Sequence, residues 1–297
     1  MIFVAGASGV LGNEVVRRLR ERGESVRALV RESSDAGKVA ALEDMGAEVV
    51  RGDLKDAASL KNAVSGVDTV VSTVSAITTA KPGDSFDATD DQGNINLLNE
   101  SIAAGARRFI FVSFDVDGVA ESPLTNAKRH AEQSIMSSGI DYTIHRPSLF
   151  MQIWLSPMLF ADPATATAKV FGPGTTGIEY IAVGDVAEAM VQSIYDDAMK
   201  NRVVGYGGPE PVSQRRALEI FSEAFGKPFA PIDIPESELE KQWSAAGDPW
   251  QKSLTGLMLG VARGFGGGTG PASRYFPMKM TTVQEFASTQ AGSLSRS

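Results

Sequence analysis

The sequence has 297 residues, of which 43% are hydrophobic and 22% charged, with a formal net charge of -8 and no cysteine. That length and apolar content can bury the core of one domain with an appended lobe, while the acidic balance argues against nucleic acid or an anionic membrane surface as partner. The missing cysteines exclude disulfides, thiolate nucleophiles and cysteine metal sites, and two histidines, His130 and His145, at no metal-ligand spacing leave no metal centre to expect.

Short apolar, β-branched runs alternate with helix-period segments over the first half, the signature of parallel strands joined by crossover helices. Strands are expected at Ile2–Ala5, Ser25–Val30, Ala47–Arg51, Thr69–Thr73, Arg108–Ser113 and Tyr142–His145. Helices are expected at Leu11–Arg22, Lys38–Met45, Ala57–Val64, Gln92–Ala104 and Leu124–Ser137, with Gly23, Gly46, Gly66, Gly105 and Gly139 just past their ends. The basic run RRLRER, Arg17 to Arg22, reads as a solvated face near a helix C-terminus. A first strand beginning at Ile2 leaves no secretory leader to expect, and the apolar stretch from Leu254 is too short to span a bilayer, so the expected location is cytoplasmic.

After Pro147 the rhythm changes. Residues 1–150 are read as an α/β, Rossmann-like nucleotide-binding domain to which 178–208 returns; 151–177 and 209–297 are read as a small substrate lobe. Asp185 and Glu188 have N-cap and capping-box spacing for a helix in the returning segment, and the strand Arg202–Tyr206 is expected to rejoin the sheet. Further helices are expected around Arg216–Phe225 and Glu236–Ala245. Phe150, Met151, Trp154, Met158 and Phe160 suit either an apolar or aromatic substrate pocket or the packing of the lobe. The run GFGGGTG, 264–270, reads as a mobile connector, with a lid as the alternative, and the final AGSLSRS as a frayed tail.

The chemistry begins at GASGVLG, with Gly6, Gly9 and Gly12 directly after the first strand and opening an amphipathic helix. In that setting Gly6 permits a tight turn, Gly9 lets backbone approach a pyrophosphate and Gly12 allows close packing of helix on strand. Ala7, Ser8, Val10 and Leu11 complete the cradle at the helix N-terminus. Arg31 ends the second strand where an NAD enzyme holds an acid for its ribose, and Lys38 follows; a cation there favours the 2'-phosphate of NADP.

Together GASGVLG, ALVR, the GAEVVRGDL run, FIFVS and KRHAEQSIMSSGIDYTIHRPSLF resemble the atypical short-chain dehydrogenase/reductase superfamily, in its NmrA-like and isoflavone-reductase-like branch, from Met1 to about Val191. The resemblance implies that Asp53 and Leu54 meet the adenine, that Ser72 and Thr73 lie beside the cofactor, and that Pro147 approaches the nicotinamide. Typical members of the superfamily carry serine and Tyr-x-x-x-Lys. Ser113 matches the serine and Lys128 the lysine, but Leu124 stands where the tyrosine belongs.

Lys128 also stands out without any family. At about 100° per residue it shares one helix face, roughly 60° wide, with Leu124, Ala131 and Ile135. A buried ammonium needs a partner, for which a ribose is one candidate and Glu132, four residues on, a supporting companion. His145, in a strand, reads as a satisfied core-edge histidine. The resulting expectation is an NADPH-dependent reductase of a small aromatic or conjugated molecule, with Lys128 and Ser113 as its catalytic side chains. The alternative is a non-catalytic NADP(H) sensor or assembly protein whose C-terminal lobe meets a protein partner.

Overall fold

The structure is a computed structural model that describes residues 1–77 and 83–294. Ile2–Ala5 form β1, buried along its whole length. An apolar run without alternation is what a parallel strand covered on both faces requires. The chain continues through α1 (Val10–Glu21), β2 (Val26–Val30), α2 (Ala36–Asp44), β3 (Glu48–Arg51), α3 (Ala57–Ala63) and β4 (Thr69–Ser72). A π-helical stretch, Phe86–Asp91, then runs into α4 (Gln92–Ala103), followed by β5 (Arg108–Val112), α5 (Pro123–Ser137) and β6 (Asp141–Pro147). Each strand and helix expected up to Pro147 is present, with ends displaced by two residues at most.

One seven-stranded sheet collects these strands in the order Arg202–Tyr206, β6, β5, β4, β1, β2, β3, so the last strand rejoins the sheet at its edge as expected. Neighbours from β3 to β6 are parallel, with Ile2 facing Val26 on one side and Thr69 on the other. The strand order reverses beside β1, so the carboxyl ends of β1 and β4 flank the switch point where open α/β sheets take their ligands. Phe3, Leu29, Leu60, Leu97, Phe109 and Ile144 belong to the core under this sheet.

The chain divides into two compact units. The first comprises Met1–Val116, Pro123–Arg146 and Ala187–Val204; the second comprises Asp117–Ser122, Pro147–Val186 and Gly205–Ser297. The second unit holds a three-stranded sheet in which Thr167–Phe171 pairs parallel with Ala230–Ile234 and antiparallel with Ala161–Asp162. It also contains helices Gln214–Phe225, Glu236–Ala245, Pro249–Ala262 and Val283–Leu294. Ala230–Ile234 escapes a sequence reading because it is a short, solvent-facing edge strand carrying Pro231.

Several expectations are corrected by this unit. Of the two readings of the run from Phe150 to Phe160, packing holds for Met151, Trp154 and Phe160, which are core residues with Phe160 meeting Phe221 edge-on at 5.6 Å, whereas Met158 is exposed. The glycine run 264–270 is fastened, not loose: the Glu179 carboxylate accepts from Thr269 Oγ1 at 2.6 Å and from the amides of Thr269 and Gly270 at 2.9 and 3.0 Å. Asp185 is no cap, because the helix Val183–Tyr195 starts before it, and its carboxylate accepts from the Thr281 amide at 2.8 Å. The tail is helical to Leu294, and 295–297 lie outside the described residues.

In the first unit, Glu188 likewise has no capping role. It pairs with Arg18 at 2.9 Å and Arg22 at 2.6 Å, while Arg17 pairs with Glu14 and Glu21, so the RRLRER face is largely neutralised by carboxylates.

Candidate cofactor and active site

The glycine loop joins β1 to α1 through a tight turn. Gly6 has a φ of +79°, and its carbonyl accepts the Gly9 amide at 2.9 Å. A Cβ on Gly6 would lie 2.6 Å from Thr73 Oγ1, and one on Gly12 would fall onto the Gly6 carbonyl. Both glycines are therefore required by the fold itself. Gly9 differs, since a Cβ there would meet only the Gly6 oxygen, at 3.1 Å. Gly9 is also the N-cap of α1 and supplies no side chain to its first amides, which leaves the positive end of the helix open to an anion. Ala7 is buried, Ser8 half-buried and Val10 exposed beside this opening, with Leu11 turned into the core.

Behind the loop, Thr73 donates from Oγ1 to the Ala5 carbonyl at 3.0 Å, and its amide donates to the same oxygen at 3.1 Å. The buried Ser72 hydroxyl donates to Asn94 Oδ1 at 2.6 Å. Ser72 and Thr73 therefore lock the end of β4 to the loop and to α4.

Arg31 stands just beyond β2 and its guanidinium is engaged by Asp84 at 2.9 Å. Lys55 binds the other oxygen of that carboxylate at 2.6 Å and lies 3.6 Å from Asp53. Burial by itself would raise the Asp84 pKa, but the hydrogen bonds from Lys55 and Arg31 outweigh it and hold the carboxyl below its ordinary range. Leu54 is buried, its carbonyl accepting from Asn96 at 2.9 Å. Lys38 is exposed on α2, its amide capped by Asp35, and the structure shows no ion pair for its ammonium among the described residues.

Lys128 lies on the inward face of α5 and is 3% exposed. Its ammonium donates to the carbonyls of Val74 at 3.1 Å and Val112 at 3.4 Å, sits 4.8 Å from the centre of the Phe111 ring, and lies 3.3 Å from Asp90 Oδ1. Asp90 is fully buried and also accepts the Ala76 amide at 2.9 Å. The π-helical stretch before α4 carries Asp90 inward, and Asn94 ties that stretch down by donating to the Asp90 carbonyl at 2.9 Å.

Glu132 is not the companion of Lys128. It binds Arg146, carried by β6, whose Nε donates to Oε1 at 3.0 Å. His145 is satisfied in the core. Ser193 gives its own proton to the Met190 carbonyl at 2.7 Å, so His145 Nε2 donates to the Ser193 oxygen at 3.0 Å.

Ser113 follows β5 with its amide on the His145 carbonyl at 2.7 Å. Its hydroxyl is buried and has no hydrogen-bond partner among the described residues. Leu124 is buried at the position of the expected tyrosine, and Pro147, also buried, ends β6 and counts with the second unit.

The first unit thus brings together the glycine loop, Ser72, Thr73 and Lys128 around the ends of β1, β4 and β5, with Arg31, Asp53 and Leu54 at the ends of β2 and β3. An uncapped helix N-terminus, a pair of cations and an orphaned buried hydroxyl fit a dinucleotide's pyrophosphate, phosphate and polar ring substituents. Asp84, Lys55, Asp90 and Asn94 were not found by reading the sequence. Only a carboxylate demanded by a buried lysine could have hinted at Asp90, and spacing does not say which of the chain's acids answers. Among the described residues there is no cluster suited to a metal ion, and no helix is long and apolar enough to cross a membrane.

The sequence profile of the NmrA-like family matches residues 1–286. An isoflavone reductase homolog IRL of Zea mays is 29% identical over 96% of this chain and 96% of its own. The photosystem II assembly factor Ycf39 of Synechocystis is 30% identical over 80% of this chain and 72% of its own. Among solved structures, the NADPH-dependent quinone oxidoreductase QOR2 of Escherichia coli in complex with NADPH superposes with a TM-score of 0.79 at 22% identity, covering 98% of this chain and 99% of that one. This last likeness is one of fold, a Rossmann-like parallel sheet flanked by helices.

Proposed function

This chain belongs to the NmrA-like family, and from that premise we propose that it is an NADPH-dependent reductase of a small conjugated or aromatic acceptor of the quinone or enone type. The observation that carries the reading is the buried Lys128 ammonium, held by Asp90 near the ends of β4 and β5, in the same unit as an uncapped glycine loop. A bound nicotinamide would supply hydride. Gly6 to Gly12 would hold the pyrophosphate, Arg31 and Lys38 the 2'-phosphate, and Asp53 and Leu54 the adenine. Ser72 and Thr73 would border the nicotinamide end.

The protein's own chemistry is then positioning and proton supply. Lys128 would orient the ribose hydroxyls or move a proton to the reduced acceptor, and the Ser113 hydroxyl, unpartnered among the described residues, would polarise the acceptor's oxygen. Leu124 in place of tyrosine removes the acid that isolated carbonyls need. A quinone or enone needs it less, because hydride arriving at carbon leaves the charge delocalised onto oxygen, and this supports the choice of substrate class.

The test is absorbance at the reduced-nicotinamide band with a panel of quinones, enones, azo dyes and aldehydes. Acceptor-dependent NADPH oxidation that vanishes in Lys128→Ala is expected; unchanged turnover in that variant would remove Lys128 from the mechanism. The assembly-factor relative favours a second reading, a non-catalytic NADP(H)-binding protein with a protein partner. It predicts that NADP and NADPH bind with different affinities and that no acceptor in the panel consumes the cofactor.

A further inference from the structure

Two cations of the first unit converge on one carboxylate. Arg31 donates from Nη1 to Asp84 Oδ2 at 2.9 Å, and Lys55 donates from Nζ to Asp84 Oδ1 at 2.6 Å. Lys55 also lies 3.4 Å from the Gly83 carbonyl and 3.6 Å from Asp53 Oδ2. Arg51 adds a third cation nearby, its guanidinium donating to the Arg31 carbonyl at 3.0 Å. The carboxylate of Asp84 is almost wholly buried, at 2% exposure, whereas Arg31 and Lys55 keep 30% and 28% of their side chains open to solvent. The two cations therefore grip an internal anion with one side and present charge to solvent with the other.

Formally, Arg31 and Lys55 are balanced by Asp84 and Asp53, so the pair that grips Asp84 is neutral as it stands, with Arg51 outside that balance. A neutral cluster is a poor attractor for a phosphate, which carries about -1.5 to -2 at neutral pH. If the phosphate takes the place of one carboxylate, both charge-assisted donors are kept and the anion offers three acceptor oxygens instead of two.

Resting on the NADPH reading, we propose that Lys55 joins Arg31 and Lys38 at the seat of the adenosine 2'-phosphate, and that Asp84 is the internal anion this phosphate displaces. Asp84 then sets how strongly the chain prefers a 2'-phosphorylated nucleotide. It keeps the cation pair ordered and neutral without ligand, and it subtracts from phosphate affinity by competing for the same donors. Lys55 becomes a phosphate ligand that the second strand alone does not disclose.

The experiment is calorimetric titration of the full-length chain, native and as Asp84→Asn and Lys55→Met, with 2',5'-ADP, 5'-AMP, NADPH and NADH, at low and at physiological salt. Asp84→Asn is expected to bind 2',5'-ADP and NADPH about fivefold to tenfold more tightly, with a gain that shrinks as salt rises. Lys55→Met is expected to lose a similar factor. Both should keep 5'-AMP and NADH within about twofold of native, which also reports that the variants are folded. An Asp84→Asn chain with unchanged or weaker 2',5'-ADP binding overturns the proposal, as does a Lys55→Met chain that binds it as well as native. If the native chain still prefers NADPH, only this inference falls. If native and Asp84→Asn bind NADPH no better than NADH, the cofactor reading falls with it.

Discussion

The Lys128 ammonium lies 3.3 Å from the carboxylate of Asp90, and both side chains are enclosed in the first unit. Two carbonyls and an aromatic face complete the ammonium's surroundings, and the Ala76 amide holds the other carboxylate oxygen. Removing one partner of such a pair strands a charge where water cannot reach it.

Asp90→Asn is accordingly expected to lower unfolding free energy by about 3–5 kcal/mol, read from urea denaturation. Asp90→Asn combined with Lys128→Met should recover much of that loss, because the stranded ammonium goes too. A double variant no more stable than Asp90→Asn would show that the pair is not what Asp90 contributes.

The three glycines of the loop should fail differently. Gly12→Ala drives a methyl onto the Gly6 carbonyl and is expected to cost stability directly, seen as a lower midpoint in thermal melts without ligand. Gly9→Ala meets one oxygen at 3.1 Å and is expected to melt near the native temperature while losing at least about tenfold in nucleotide affinity, because the methyl occupies the anion's approach. Equal nucleotide binding by Gly9→Ala and the native chain would deny that the loop is the cradle.

Arg31→Ala removes a charge-assisted contact worth about 1.5–3 kcal/mol. Its preference for NADPH over NADH should fall by about tenfold or more, measured by titrating both nucleotides. A native chain that binds the two equally would refute the assignment of Arg31.

His145 supplies a pH dependence whose sign follows from its burial. Desolvation, with the Arg108 charge adding to it, holds the imidazole pKa down to about 3, against 6.5 for an ordinary histidine. Between those values the unfolded chain binds a proton that the folded chain refuses. The stability is present in full above pH 6.5 and falls as pH drops toward 3, by up to about 1.4 kcal/mol per unit. Denaturant midpoints from pH 7 to 5 should therefore fall more steeply in the native chain than in His145→Gln. Equal slopes would remove His145 as the source.

The sequence by itself determined the doubly wound half of this protein. Apolar runs and helix periods are local signals, and each glycine just past a helix sits where the chain must leave it, so β1 to β6 and α1 to α5 were legible to within two residues at their ends. Local signals also placed Gly6 to Gly12 between a strand and a helix, Arg31 at the end of β2, and Lys128 on the inward face of α5. Less was readable after Pro147, where Ala230–Ile234 pairs at a solvent-facing edge and Glu179 fastens a glycine loop from far along the chain.

What only the tertiary structure decided is who answers each charge. Arg31 meets Asp84, 53 residues away, Lys128 meets Asp90 rather than Glu132, and Glu132 turns to Arg146. Periodicity says which way a side chain points, but an ion pair forms where crossover connections bring two loop ends or two layers together. That meeting is a property of strand order, which no window of sequence contains.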